Sequence, residues 1–262
     1  MPSVFRKTVI SIALVLVATG CGAHRLHQAQ DIYNQAARIE AQVSFEDTQA
    51  TGDPLTGDVQ ALQGYRSALA LTNEALDKYD DSLKKDQLYG TALMLKALCQ
   101  WRVSALDRQA DANAVKTLVA QIEGRVQNEH VVLGTRDQVL LKALPGLHEH
   151  EMGLRQHDRR KAARLFQSAL ETMEMALDQV NPPQDHPIRA YIRLSQMRIL
   201  RAWRWVSLPD EPQDITERRQ WHQQWNHRYE TYRNALVPLL LANPGLNNRV
   251  ETMDRVFGYQ AQ

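Results

Sequence analysis

The chain of 262 residues is 44% hydrophobic and 23% charged, with 31 Lys and Arg against 30 Asp and Glu. This composition is that of an ordinary globular protein, and it excludes disordered and collagen-like chains. Two cysteines are too few for a disulfide scaffold. The balanced charge also argues against a nucleic-acid binder, because such proteins usually carry a basic excess.

The first twenty residues have the pattern of an export signal. Arg6 and Lys7 precede an apolar run over residues 9–18, which leads to Cys21. A positive start followed by a short apolar run is typical of a secretory signal peptide. Ten helical residues rise about 15 Å, roughly half the hydrocarbon thickness of a bilayer, so this run is too short to span a membrane. We therefore expect residues 1–20 to be a cleaved signal and residues 21–262 to be one mature helical domain.

Small residues precede Cys21. The segment Ala18-Thr19-Gly20-Cys21 resembles the lipobox of bacterial lipoproteins, in which the cysteine becomes the lipidated first residue. The resemblance implies lipid attachment at Cys21, and several acyl chains would make that attachment stable. The residue after the cysteine is Gly22 rather than the Asp that retains such proteins in the inner membrane. In a source with two membranes, the resemblance therefore favours the outer membrane, with the domain facing the periplasm. The alternative is a conventional signal peptide cleaved after Ala18 or Ala23.

Beyond residue 24, apolar residues recur three and four positions apart, and strict alternation is almost absent. This periodicity predicts an all-α fold. Turn-forming clusters such as Asn181-Pro182-Pro183 separate the helical stretches. Pro145 and Pro238 fall inside predicted helices, and we expect each to kink or split its helix. In chain order, helices are predicted at residues 24–45, 58–80, 86–107, 110–127, 135–155, 158–180, 187–207, 213–241 and 246–258.

Part of this helical region is duplicated. Residues 65–79 align without gaps on residues 166–180, with six of fifteen positions identical. After one inserted residue, Trp101 and Arg102 correspond to Trp203 and Arg204. The duplication therefore covers about residues 58–107 and 158–207, and each copy contains a helix, a turn and the next helix.

Small and aromatic residues recur at one spacing in three predicted helices. The three matches are Ala29-x3-Tyr33-x2-Ala36, Ala61-x3-Tyr65-x2-Ala68 and Ala162-x3-Phe166-x2-Ala169. They resemble the second-helix signature of the tetratricopeptide repeat, in which small residues let helices approach and an aromatic fills the gap. The resemblance implies stacked antiparallel helical hairpins, a solenoid that offers an extended concave surface. The alternative is a compact helix bundle, in which the same residues simply pack the core.

Sequence motifs for catalysis or metal binding are missing from the chain. It has no Gly-rich phosphate loop, no Gly-x-Ser-x-Gly elbow and no His-Glu-x-x-His pair. His148 and His150 belong to the densest polar cluster, but residues two apart face different sides of a helix. Cys99 lies in an apolar helical run and is expected to pack in the core. We therefore predict a protein that is not an enzyme and that holds no cofactor or metal.

Four arginines are candidates for a binding groove. Arg198, Arg201 and Arg204 recur every three residues in one predicted helix, and Arg102 is the counterpart of Arg204 in the other copy. A groove lined with arginines would favour acidic segments or carboxylates of a partner. The alternative is a surface helix whose arginines pair with nearby Asp and Glu.

These observations predict a membrane-anchored lipoprotein that acts as a helical scaffold for a protein or peptide partner. An open polar groove would favour this function. The competing function is a small-ligand receptor, similar to the helical lipoproteins that accompany periplasmic transport systems, and a closed apolar pocket would favour it.

Overall fold

The computed structural model describes residues 22–41, 55–107, 109, 111, 113–240 and 244–258. All regular elements within these ranges are helical and none is a strand, so the predicted all-α fold is confirmed. The stacked-hairpin arrangement stays a prediction. Cys21 and the export signal lie outside the described residues. In the described part of the chain, no helix is both long and apolar enough to cross a bilayer.

The first helix, α1, covers residues 22–41. The remaining helices, in chain order, are α2 (Leu55–Lys78), α3 (Asp80–Lys85), α4 (Tyr89–Leu106), α5 (Ala114–Asn128), α6 (Thr135–Leu154), α7 (Arg159–Val180), α8 (Pro187–Ser207), α9 (Ile215–Asn234), α10 (Val237–Leu240) and α11 (Pro244–Phe257). A short 3-10 turn at Leu208–Asp210 follows α8.

These helices form two compact units, which divide between Leu133 and Gly134. In the first unit, α4 packs against α2, α3 and α5. In the second unit, α6, α7 and α8 pack against one another, and α8 also contacts α9 and α11. One copy of the duplicated sequence lies in each unit, as α2 and α4 in the first and as α7 and α8 in the second.

The core positions of the two copies correspond. Tyr65 in α2 and Phe166 in α7 are 1% and 0% exposed, so each aromatic ring lies fully inside its own unit. The alanines four before and three after each ring are also fully buried; they are Ala61, Ala68, Ala162 and Ala169. The small-aromatic-small spacing therefore marks a core face in both copies, as the periodicity indicated.

Glycines permit close helix contacts in both units. A Cβ added to Gly64 in α2 would lie 2.8 Å from the Cβ of Ala36 in α1. A Cβ added to Gly153 in α6 would lie 2.5 Å from the ring of Phe166 in α7. Real Cβ atoms do not approach so closely, so larger residues at these two positions would push the helices apart.

Helix α1 packs against its neighbours from its first residue. A Cβ added to Gly22 would lie 2.9 Å from the Cβ of Tyr79, which follows α2. Further along α1, the rings of Tyr33 and Tyr65 are 5.3 Å apart. Ala36 is buried in the same cluster as Tyr65. Close contacts therefore occur near both ends of α1.

The two prolines inside predicted helices have different effects. Helix α6 runs through Pro145 and ends only at Leu154, so this proline does not split it. Burial of Leu144 and Leu147 on either side of Pro145 keeps the segment packed, and packing offsets the lost backbone hydrogen bond. The predicted helix 213–241 is divided into α9 and α10, and Pro238 is the second residue of α10.

Cys99 is completely buried in α4, as its apolar surroundings predicted. Burial raises the pKa of its thiol to about 12. Because the thiolate is the reactive species, we expect Cys99 in a Cys21→Ser chain to resist iodoacetamide at neutral pH and to react fully in urea. Mass spectrometry of the alkylated chain measures both reactions. Equal alkylation rates in the folded and unfolded chain would contradict this expectation.

Candidate functional site

A cleft of about 760 Å³ opens in the second unit between the C-terminal parts of α6 and α8 and helix α11. Its apolar walls come mainly from Leu154 of α6, Trp205 of α8, and Met253, Val256 and Phe257 of α11. Its volume is within the range of ligand-binding clefts in proteins.

Three of the four predicted arginines line this cleft. Arg198, Arg201 and Arg204 lie on successive turns of α8, because residues three apart share one face of a helix. Arg198 and Arg201 are exposed, and neither forms a hydrogen bond or an ion pair with any residue that the structure describes. Their guanidinium groups are therefore available to a ligand.

Arg204 is already engaged within the second unit. Its guanidinium donates a hydrogen bond of 2.8 Å to the backbone carbonyl of Phe257 and lies 4.7 Å from the centre of that ring. It also lies 3.3 Å from Nδ1 of His222, whose Nε2 is 2.8 Å from a carboxylate oxygen of Glu211. Burial lowers the pKa of Arg204 from its ordinary value. Arg204 therefore fixes α11 against α8 and helps to form the cleft wall.

Arg102 lies in the first unit and forms a buried ion pair. Its guanidinium donates two hydrogen bonds to the carboxylate of Glu40 in α1 and lies 4.7 Å from the centre of the Trp101 ring. Tyr65 donates a third hydrogen bond, of 2.7 Å, to the same carboxylate. The structure thus assigns Arg102 the alternative role considered above, pairing with a carboxylate, and does not place it in the cleft.

The electrostatic character of the cleft is positive. Among its described lining residues, three are arginines and none is an Asp or a Glu. His150 also lines the cleft, 5.9 Å from Phe166 between ring centres. Burial lowers the pKa of His150, Glu151 opposes this shift, and Arg198 adds to it. His150 is therefore uncharged at neutral pH, and the available positive charge belongs to Arg198 and Arg201.

The lowered pKa of His150 predicts a pH dependence of stability. The unfolded chain binds a proton at His150 near pH 6.5, whereas the folded chain resists protonation there, so acid favours unfolding. We expect the second unit to lose stability as the pH falls below about 6.5, until the lower folded-state pKa is reached. The stability of a His150→Gln variant should fall less steeply as the pH decreases. Thermal unfolding of both chains over this pH range measures the difference, and identical slopes would contradict the assignment to His150.

Trp205 is a site residue that the sequence analysis did not identify. Its side chain is 73% exposed at the rim of the cleft, next to Leu154 at 57% and Val256 at 44%. Trp203, two residues earlier, packs edge-on against Trp225 with ring centres 5.3 Å apart. Side chains two residues apart in a helix point to different faces, so only one of the two tryptophans can pack against the neighbouring helix. The pair Trp203 and Trp205 was therefore the signal in the sequence that one tryptophan lies exposed.

Within the described ranges, no group of three His, Cys, Asp or Glu residues is placed to hold a metal ion. No protein-family model matches the chain, and neither a curated protein nor a solved structure matches it.

Proposed function

We propose that this protein is a lipoprotein, held through acyl chains on Cys21 at the outer membrane and facing the periplasm. In this proposal, the cleft between α6, α8 and α11 binds a segment of another protein. The role is recognition, and it involves no catalytic step. Confinement at a membrane surface raises the effective concentration of partners held at the same surface.

The exposed rim of the cleft is the observation that supports a protein partner. Trp205 and Leu154 keep 73% and 57% of their surface exposed, beside Arg198 and Arg201, which pair with no residue in the described ranges. Sites for small molecules surround their ligands and bury most of the ligand surface. Side chains as exposed as these are covered only by a partner that extends beyond the cleft. Tryptophan and arginine are also the residue types that contribute most to binding at protein interfaces.

Site-specific crosslinking in intact cells tests this function. A photoreactive amino acid at position 205 should give a crosslinked protein adduct, identified by mass spectrometry. Ile215 supplies a matched control, because it is also 73% exposed but does not line the cleft. The proposal fails if position 205 gives no adduct beyond that of position 215. A small molecule that stays bound to the purified chain would then favour the receptor function.

Metabolic labelling with a fatty acid tests the anchor separately. The wild-type chain should incorporate label and fractionate with membranes, whereas a Cys21→Ser chain should do neither. Labelling that persists in the Cys21→Ser chain would reject Cys21 as the attachment site. A wild-type chain without label would support the conventional signal peptide.

A further inference from the structure

Resting on the protein-binding function proposed above, we infer that the partner segment carries acidic residues beside one large apolar side chain. Along one edge the cleft presents Arg198 and Arg201, which pair with no described residue. Next to them it presents an apolar surface. Each feature specifies part of the partner's chemistry.

Arg198 and Arg201 differ from those arginines of the second unit that the protein itself holds. Several other arginines there are held by protein acceptors: Arg193 by Glu174, Arg218 by Glu211, Arg233 by Asp254, and Arg189 by the carbonyl of Pro182. Arg198 and Arg201 have no such acceptor among the described residues. Because the described lining of the cleft contains no carboxylate, both guanidinium groups are solvated and open to a ligand that supplies acceptors.

The spacing of the two arginines fits a short acidic stretch. Residues three apart on a helix have their Cβ atoms about 5–6 Å from one another. Each guanidinium can bind a carboxylate through two parallel hydrogen bonds, which makes the recognition directional. Arg198 and Arg201 can therefore engage two nearby carboxylates of one segment. Arg204 adds no third contact, because it already binds the carbonyl of Phe257.

The apolar surface begins on the face of α8 that carries the two arginines. Trp205 follows Arg201 by four residues, so the two side chains are neighbours on the helix surface. Leu154 and Val256 expose apolar surface on the other walls of the cleft. A large aliphatic or aromatic side chain placed between these walls would remove apolar surface from water, which stabilises the complex by roughly 25 cal/mol for each Å² buried.

Selection from a random peptide library, displayed on phage, tests the partner chemistry with the full chain. The wild-type chain should enrich peptides in which Asp or Glu flanks a Trp, Phe or Leu. An Arg198→Glu/Arg201→Glu chain should lose these peptides and enrich Lys and Arg in their place. An Arg160→Glu/Arg219→Glu chain is the matched control, because both residues are exposed and lie outside the cleft.

Affinities of one enriched acidic peptide, measured by fluorescence anisotropy, complete the test. The charge reversal at positions 198 and 201 should weaken binding by about tenfold to a hundredfold. Trp205→Ala should weaken binding too, and the control variant should leave it unchanged. Circular dichroism of each variant establishes that it is folded.

The outcomes separate this inference from the proposed function. Enriched peptides without an acidic excess, whose binding still depends on Trp205, would reject the acidic partner and retain protein binding. Acidic peptides that bind the charge-reversed chain as tightly as the wild type would also reject the inference. A selection that enriches no peptide with any chain would count against both proposals.

Discussion

Replacing Arg102 with Met should lower the free energy of unfolding of the first unit by about 3–5 kcal/mol. The side chains of Arg102 and Glu40 are only 11% and 19% exposed, so the substitution leaves the Glu40 carboxylate largely buried without its cation. Removing one partner of a buried ion pair costs far more than the pair itself contributes. The ion pair that joins α1 to α4 is lost with it.

Hydrogen exchange measured by mass spectrometry resolves this effect, because it reports the stability of each segment separately. The control is Arg66→Met, the same substitution at an arginine that is 54% exposed and pairs with Asp107. An exposed pair contributes about 0–1 kcal/mol, so the control should have little effect. A double variant, Arg102→Met/Glu40→Leu, should be more stable than Arg102→Met alone. Similar losses for Arg102→Met and Arg66→Met would show that the buried pair is not important for stability.

Replacing Phe166 with Ala should lower the free energy of unfolding of the second unit by about 3–5 kcal/mol. The ring is fully buried and lies against Gly153 of α6, so its removal leaves a cavity at this contact. A conservative Phe166→Leu variant should cost less than about 1.5 kcal/mol, because it retains most of the buried volume.

Urea denaturation combined with hydrogen exchange of α6 and α7 measures the two Phe166 variants. The corresponding change in the first unit, Tyr65→Ala, supplies a comparison, because Tyr65 holds the equivalent position in the other copy. Tyr65→Ala should also remove the hydrogen bond to Glu40 and destabilise its unit at least as much. A loss below about 1 kcal/mol for Phe166→Ala would show that the site collapses around the smaller side chain.

Local patterns in the sequence predicted the long helices and their core faces, but not α3 (Asp80–Lys85), which falls where a break between two helices was predicted. Apolar spacing predicted helices on both sides of most turns, and the alanines that flank Tyr65 and Phe166 marked two fully buried rings. These features depend on residues within a few positions of one another. The tendency of proline to break helices was less informative, because α6 continues through Pro145.

The roles of the arginines could not be predicted in the same way. The duplication pairs Arg102 with Arg204, yet one binds the Glu40 carboxylate, 62 residues away, and the other binds the carbonyl of Phe257, 53 residues away. Both acceptors come from helices outside the duplicated segments. Arg198 and Arg201 differ from these two because no described acidic residue reaches them, and this is a property of the folded unit rather than of the spacing.

The position where α1 begins has a mechanical consequence. Residue 22 is already helical and already touches Tyr79, while lipid is proposed on the residue just before it, about 3.8 Å away along the backbone. A flexible tether would let a domain swing and sample many distances from the bilayer. With the acyl chains attached here, the first unit would instead stand directly on the lipid headgroups, with its tilt and height set by the rigid docking of α1.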